Sequence, residues 1–279
     1  MNVSIIGLGL IGGSLAKTIK KHTDDFVIGF NRNKTVCDFA LECGAIDKIG
    51  EVSDLKNSDL TILCIYPDAT VEYIKEHIND FKKGSLVIDT CGVKEKICNP
   101  LYSMDLPFTF IGAHPMAGRE VGGFENSLDN LYDSASFIFT PKDEDCKELD
   151  FLKEYAKKIG FGRTAVTTAK EHDRIIAFTS QIAHVLACEY VLSPNSMKHF
   201  GFSAGSFKDV SRVAKINEIL WTELFIDNKV ALCEEIDSLI RNLNKFKSAI
   251  EDSDEQTLKK LLKESRLIKE KLDDENTES

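Results

Sequence analysis

Near its start the chain reads VSIIGLGLIGGSLAKT at residues 3–18, where an apolar, β-branched run leads through three spaced glycines into a helical pattern. In this context Gly7 permits a tight turn out of the strand, Gly9 lets the backbone approach a pyrophosphate, and Gly12 lets the helix pack closely on the sheet. The unpaired N–H groups at the start of that helix face the anion. The segment therefore predicts a site for NAD or NADP. Its predicted residues are Gly7, Leu8, Gly9, Leu10, Ile11 and Gly12.

The end of the second apolar run, FVIGFNRN at residues 26–33, bears on which dinucleotide is bound. An acid usually stands there, about twenty residues past the glycines, and holds the ribose of NAD. Asn31 occupies that place here; it can bond a ribose hydroxyl and does not repel a 2′-phosphate. The adjacent Arg32 can pair with such a phosphate. The alternative, equally compatible with the sequence, is that Arg32 is a solvent-exposed residue after the strand with no ligand. These residues favour NADP and leave NAD open.

Composition limits the class of protein. Its 279 residues, 43% of them hydrophobic, suffice for two domains with substantial cores. The net charge of −10 argues against nucleic acid or an anionic membrane as the main partner, because both need a basic surface. The eight cysteines are scattered without a C-x-x-C pair, and no apolar stretch is long enough to span a membrane. We therefore expect free thiols in a reducing, cytoplasmic environment and no metal site.

Short apolar runs alternate with helical stretches in the first part of the chain, a pattern typical of a parallel sheet with crossover helices. The predicted strands lie at residues 3–8, 26–30, 60–66, 85–91, 108–115 and 135–141. Ligands of such sheets lie beyond the C-terminal ends of the strands. We therefore predict an α/β Rossmann-type domain over residues 1–163.

Helical periodicity dominates after residue 163 and predicts an all-α domain over residues 164–279, with the active site between the two domains. The predicted helices lie at residues 170–193, 206–226, 227–250 and 254–272. The first of them is apolar on most faces, so we expect its neighbours to bury it. The last residues, DDENTES at 273–279, are expected to form an acidic frayed tail.

His114 follows the fifth predicted strand, in the sequence IGAHPMAG, and so lies at the cofactor edge of the sheet. A neutral imidazole can accept a proton from a hydroxyl near pH 7, and a positioned general base typically contributes about 10² to 10⁴ in rate. A histidine that merely caps a turn is the alternative.

The first predicted helix carries further polar candidates. Ser180 and His184 share one face by their i, i+4 spacing, which is compatible with either a core hydrogen bond or a substrate contact. His172 and Asp173 stand at the start of this helix. They are predicted to provide a cap and an interdomain hydrogen bond rather than catalysis.

Arg212 lies in FKDVSRVAKINEILW at residues 207–221. A planar guanidinium presented to a cleft suits bidentate capture of a carboxylate. The alternative is an exposed ion pair with Asp209 or Glu218. Trp221, taken alone, is predicted to lie in the core or at an interface.

Several motifs in order make the chain resemble the prephenate dehydrogenase family, which includes arogenate and cyclohexadienyl dehydrogenases. The motifs are GLGLIGGS at 7–14, DTCGVK at 89–94, GAHPMAG at 112–118, HD…AFTSQIAH at 172–184 and GSFKDVSR…W at 205–221. The resemblance extends from residue 3 to about residue 250. It implies a Rossmann domain, a helical domain that forms a homodimer, and oxidative decarboxylation of prephenate with hydride transfer to NAD or NADP.

The resemblance also implies roles for single residues. His114 would bond the C4 hydroxyl of the substrate and take its proton, and Arg212 would bind the ring carboxylate. The other implied substrate contacts are His184, Ser180, Gly205 and Trp221. By the same resemblance, Trp221 would reach the active site from the partner subunit.

One position departs from the family pattern. Gly92 stands where many members have a serine that supports the catalytic histidine, so Thr90 or a water is a candidate to replace that bond.

Arogenate, which carries an amine, is an alternative substrate, and Glu120 could pair with that amine. A β-hydroxyacid dehydrogenase is a further alternative. It would need a lysine within the first helix of the all-α domain, whereas Lys170 is expected to precede that helix. A non-catalytic dinucleotide sensor is the remaining alternative and would not need His114 and Arg212 to converge.

Overall fold

The computed structural model describes residues 1–277, with side chains through residue 274. In this part of the chain the strands form one eight-stranded sheet in the order β3-β2-β1-β4-β5-β6-β7-β8. The strands are β1 (Asn2–Ile6), β2 (Phe26–Phe30), β3 (Lys48–Ile49), β4 (Leu60–Leu63), β5 (Leu86–Asp89), β6 (Thr109–Pro115), β7 (Ser136–Thr140) and β8 (Arg163–Val166). All six predicted strands are present, and β3 and β8 are additional.

The sheet is parallel from β3 to β6, whereas β7 pairs with β6 in the antiparallel sense and β8 then pairs with β7 in parallel. The predicted α/β fold is therefore confirmed, but the expectation of a wholly parallel sheet was wrong at β7. The reason lies in residues 116–135, which contain only a short 3₁₀ turn at Phe124–Asn126. Neighbouring parallel strands are usually joined by a crossover that contains a helix. This segment is long enough for a crossover but contains no α-helix.

Alternate strand residues face two separate apolar clusters. Ile5 of β1 and Ile88 of β5 belong to one cluster, and the next residue of β1, Ile6, belongs with Val87 to the other. Because successive strand side chains point to opposite faces, both faces of the sheet are buried. The helices that cover them are α1 (Leu10–His22), α2 (Lys34–Glu42), α3 (Pro67–Glu76), α4 (Glu95–Tyr102) and α5 (Lys147–Lys158).

The chain after β8 is helical, as predicted, but more finely divided. Its elements are α6 (Ala169–Ile176), a π-helical turn (Ala177–Gln181), α7 (Ile182–Val191), α8 (Gly205–Ser211), α9 (Glu218–Asp227), α10 (Lys229–Glu251) and α11 (Glu255–Thr277). The helix predicted at 206–226 is interrupted after α8, because Asn217 caps a new helix with its side chain.

The expected burial of residues 170–193 was wrong for the single chain. Ala177 and Ala187 are buried, but Phe178 and Leu192 are 61% and 72% exposed. The apolar side chains surround the helix, and the neighbours within this chain cover only part of that surface.

By its contacts the chain divides into two compact units, Met1–Lys229 and Val230–Ser279. The first contains the whole sheet and the helices through α9. The predicted boundary between residues 163 and 164 falls at the start of β8 and stays a prediction. No helix among the described residues is long and apolar enough to cross a membrane.

The second unit contains α11, which continues through Thr277, five residues beyond the predicted helix end. Exposed i, i+4 ion pairs line this helix, including Lys259 with Glu255 at 2.8 Å and Lys269 with Asp273. Part of the tail predicted at 273–279 is thus helical; residues 278 and 279 lie outside the described part of the chain.

Candidate active site

The glycine loop between β1 and α1 has the shape that a pyrophosphate needs. Gly7 has φ +99°, and a Cβ there would come within 2.5 Å of the Cys64 carbonyl oxygen. A Cβ on Gly12 would collide with the Gly7 carbonyl oxygen, so α1 starts in close contact with the loop. A Cβ on Gly9 would instead meet no atom within 4 Å, and no side chain caps α1. The open face at Gly9 and the free helix start fit a dinucleotide.

The tip of β2 carries no acid. The Asn31 amide donates to the Leu8 carbonyl at 3.3 Å, and its oxygen accepts from the Asn33 N–H at 3.2 Å. Asn31 is therefore fixed against the glycine loop. Arg32 is exposed beside it.

His114 lies near the C-terminal end of β6, half-buried, with its Nδ1 2.9 Å from Nε2 of His172. Burial, together with the neighbouring His172 and the charge of Lys94, holds the pKa of His114 well below its usual range. The ring is therefore neutral at physiological pH, as a general base must be.

A buried ion pair lies behind His114. The Lys94 ammonium donates to the Asp89 carboxylate and to the Ala113 carbonyl oxygen, the latter at 2.7 Å. Asp89 in turn accepts from the Ala113 N–H at 3.1 Å. Both charged side chains are fully buried. This pair fixes the backbone of β6 immediately before His114. Both residues belong to the motif DTCGVK, but sequence analysis gave neither of them a role.

Asp173 joins α6 to α4. Its two carboxylate oxygens accept from the backbone N–H groups of Lys94 at 2.7 Å and Glu95 at 2.8 Å, which caps the start of α4. The same carboxylate lies 2.7 Å from Nδ1 of His172. Sequence analysis predicted that His172 and Asp173 cap their own helix, which was wrong: the Thr168 side chain caps α6 and Asp173 caps α4 instead. The contact of His172 with His114 was missed.

A second polar cluster surrounds Arg212, which ends α8 and is exposed. Its guanidinium pairs with the Glu120 carboxylate from the loop after β6. Both charges act on the nearby His184, whose pKa is lowered chiefly by burial. Neither of the expected partners of Arg212, Asp209 and Glu218, is its partner here. A carboxylate ligand would meet a guanidinium that already holds a carboxylate.

His184 follows the π-helical turn and contacts Ser180, four residues earlier. Its Nδ1–H donates to the backbone oxygen of Ser180 at 2.9 Å, and its ring stacks on Trp221 with centroids 3.7 Å apart. π-helical turns are frequent at functional sites. Trp221 thus contacts His184 of its own chain, whereas the resemblance placed it in a partner's site.

One face of α9 spans the cluster around His114 and the cluster around Arg212. Trp221 stacks on His184, and Leu224, one turn further, would lie 3.5 Å from a Cβ built on Gly92. That same Cβ would lie 3.9 Å from Cε1 of His114. Because residues three apart on a helix are neighbours, the two clusters meet within one turn of α9.

Buried amides hold this arrangement together. Asn228, at the end of α9, donates to the Asp173 carbonyl and to the Gln181 side chain, both at 2.8 Å, and Gln181 donates to the Leu224 carbonyl at 3.2 Å. These bonds fix α9 against α6 and the π-helical turn.

Three candidate residues remain. Gly205 begins α8 and is exposed. The expectation that Lys170 precedes the helix was wrong, because Lys170 lies in the first turn of α6, where it is exposed. The Thr90 hydroxyl donates to the Leu63 carbonyl at 3.3 Å. Over the described residues, no group of three or more His, Cys, Asp or Glu could hold a metal ion.

Two family models match the chain. Residues 15–164 match "Prephenate dehydrogenase, nucleotide-binding domain", and residues 168–264 match "Prephenate dehydrogenase, dimerization domain".

The chain is 30% identical to a prephenate dehydrogenase of Lactococcus lactis subsp. cremoris over 97% of its own length and 77% of the relative's. It is 29% identical to a cyclohexadienyl dehydrogenase of Zymomonas mobilis subsp. mobilis over 95% of this chain and 94% of that one. Among solved structures it is similar to the prephenate dehydrogenase of A. aeolicus in complex with hydroxyphenyl propionate and NAD⁺. That match has a TM-score of 0.87 at 27% identity and covers 98% of each chain.

These matches span both the sheet and the helices after it, and they agree with the glycine loop, which fits a dinucleotide. The protein is an NAD(P)-dependent dehydrogenase, and the chain belongs to the prephenate dehydrogenase family.

Proposed function

We propose that this enzyme converts prephenate to 4-hydroxyphenylpyruvate and CO₂ in tyrosine biosynthesis. The observation that carries the proposal is the state of His114: a neutral ring, bonded through Nδ1, at the sheet edge where the glycine loop also lies. Such a ring leaves Nε2 available to a substrate hydroxyl.

In the proposed reaction His114 bonds the C4 hydroxyl and takes its proton as hydride leaves C4 and CO₂ leaves C1. The proton returns to the product phenol. A dinucleotide held at the glycine loop would supply the acceptor for this hydride. Because the ring becomes aromatic, the protein has mainly to orient the substrate and hold its charges. We assign the ring carboxylate to Arg212 and the substrate side chain to the surface of His184, Ser180, Gly205 and Trp221.

Arogenate is the second candidate, and Glu120 is the observation that favours it. Its carboxylate is paired with Arg212, so it lies at the end of the site proposed for the substrate carboxylates. An amine on the substrate would find a counter-charge there.

We propose that NADP is the preferred cofactor. The described tip of β2 has no carboxylate that would repel a 2′-phosphate, Asn31 is fixed by two hydrogen bonds, and Arg32 is exposed beside it. A guanidinium suits bidentate binding of phosphate.

The experiment that tests these proposals measures reduced nicotinamide from purified protein in four mixtures: prephenate or arogenate with NAD⁺ or NADP⁺. A dominant rate with prephenate and NADP⁺ is expected. A dominant rate with arogenate would transfer the proposal to the second candidate, and no rate in any mixture would refute both.

We also propose a homodimer formed through the helical domain over residues 164–279. Large apolar side chains there are exposed on the single chain: Phe178, Leu192, Met197, Phe200, Phe202, Ile219 and Ile226. Light scattering should give twice the chain mass, and Ile219→Glu should give the monomer mass.

All eight cysteines are free thiols, which supports a cytoplasmic location.

A further inference from the structure

His172 is buried between the catalytic candidate and a carboxylate. Its Nε2 lies 2.9 Å from Nδ1 of His114, and its Nδ1 lies 2.7 Å from Asp173. The two rings meet edge to face, with centroids 5.2 Å apart. In the described part of the chain, His172 is the hydrogen-bond partner of the His114 ring.

The direction of each hydrogen bond follows from Asp173. Three N–H groups converge on its two oxygens: those of Lys94, Glu95 and the His172 ring. A carboxylate accepts all three bonds, whereas a protonated acid would have to use an oxygen as a donor. His172 therefore carries its proton on Nδ1 and has a lone pair on Nε2.

The lone pair on His172 Nε2 can only accept, so Nδ1 of His114 must donate to it. Nε2 of His114 is then left unprotonated. That is the atom that would face a substrate hydroxyl. The bond from His114 to His172 thus sets the tautomer of the His114 ring.

Charged neighbours oppose a proton shared between the two rings. Lys94 lies beside both histidines and is held by Asp89, and Lys96 and Asp227 form an ion pair near Asp173. The ammonium of Lys94 disfavours an imidazolium at either ring. Both histidines therefore stay neutral.

The residue at position 92 supplies no bond to His114. Gly92 has no side chain, and Thr90 is used by Leu63. A Cβ at Gly92 would make ordinary van der Waals contacts with Leu224 and His114, at 3.5 and 3.9 Å, so the backbone has room for a small side chain.

We propose that His172, held by Asp173, is the positioning residue for His114 and replaces the hydroxyl that is missing at position 92. The proposal rests on the proposed function for its catalytic consequence, but the tautomers that it requires exist without substrate.

The first test is therefore ¹⁵N NMR of the histidine side chains in the full-length protein. The chain has six histidines, and single substitutions assign the signals of His114 and His172. Both rings should be neutral with the proton on Nδ1 at pH 7. A His114 ring protonated on Nε2 would overturn the proposal, whether or not the enzyme acts on prephenate.

The second test uses turnover. His172→Leu should lower kcat by about 10- to 100-fold with KM nearly unchanged, as loss of an orienting group does. His172→Gln keeps an acceptor oxygen for His114 and should retain most of the activity. Adding Gly92→Ser to His172→Leu should restore kcat about tenfold.

A purely structural role for His172 predicts otherwise: kcat would fall only with the melting temperature, Gln would rescue no better than Leu, and Gly92→Ser would restore nothing. The matched control is His77→Leu, which breaks another histidine–aspartate bond, to Asp80 at 3.0 Å, outside the site. It should leave kcat unchanged.

Discussion

The guanidinium of Arg212 is paired with the carboxylate of Glu120, 92 residues earlier in the chain. The pair connects the helical part of the chain to the loop that follows β6. Both side chains are exposed, so the pair itself adds little stability. Its importance is that a substrate carboxylate at the site proposed for Arg212 would have to share the guanidinium with Glu120 or replace it.

Replacing Arg212 with alanine should therefore raise KM for prephenate by about 10- to 100-fold and change kcat little, because a charge-assisted hydrogen bond is typically worth about 1.5–3 kcal/mol. Steady-state kinetics measure both constants. Arg163→Ala, at the exposed start of β8, is the control and should have wild-type kinetics. An unchanged KM would remove Arg212 from the site.

His114→Asn should lower kcat by about 10² to 10⁴ while substrate binding stays nearly intact, since the amide cannot act as a base at neutral pH. Single-turnover rates and equilibrium binding of prephenate separate the two effects. A variant with normal turnover would refute the role of His114.

Acid should destabilise the fold through the buried histidines. Burial and the charge of Lys94 lower the pKa of His172 to about 3, so below pH 6.5 the unfolded chain binds a proton that the folded chain does not. The free energy of unfolding should fall on the order of 1 kcal/mol per pH unit for this residue as pH decreases from 6.5 towards 3. Urea unfolding of the wild type and His172→Gln at several pH values measures the slope. The variant should have the shallower slope, and equal slopes would contradict the burial of a neutral His172.

Arg32→Ala should reduce kcat/KM for NADP⁺ about tenfold and leave the value for NAD⁺ unchanged. Asn31→Asp should shift the preference towards NAD⁺, because a carboxylate repels the 2′-phosphate and binds the ribose hydroxyl. Lys56→Ala removes an exposed cation before β4 and is the control. If Arg32→Ala affects both cofactors equally, the NADP preference is wrong.

Removing the ammonium of Lys94 should be severely destabilising. Lys94→Met leaves the buried Asp89 carboxylate without its partner, which costs about 3–5 kcal/mol. The double variant Asp89→Asn with Lys94→Met should recover part of this loss, as denaturant unfolding can measure. A single variant as stable as the wild type would show that the pair does not hold the end of β6.

The sequence was sufficient for the six predicted strands and the glycine loop, because continuous apolar runs and spaced glycines are local signals. It was insufficient for β3, which has only two residues, and for β8, whose sequence RTAV is exposed at alternate positions. The reversal of β7 depends on a connection without a helix. The π-helical turn spans only five residues, too few to show a period in the sequence, so it was also missed.

The candidate site, like the fold, could be predicted from the sequence only in part. His114 and Arg212 were predicted from motifs and from the resemblance, and they remain proposals. The bond between His114 and His172 joins residues 58 positions apart, and the pairing of Arg212 with Glu120 joins residues still further apart. Such contacts depend on tertiary packing, which spacing along one helix cannot reveal.

The contact between His114 and His172 has a consequence for inheritance. His114 lies in the segment that matches the nucleotide-binding model, whereas His172 and Asp173 lie in the segment that matches the dimerization model. A recombination event that replaced one segment with a segment lacking its partner residues would separate the proposed base from the residues proposed to orient it. The two halves of this gene are therefore expected to descend together, with changes at Gly92 and His172 constraining one another.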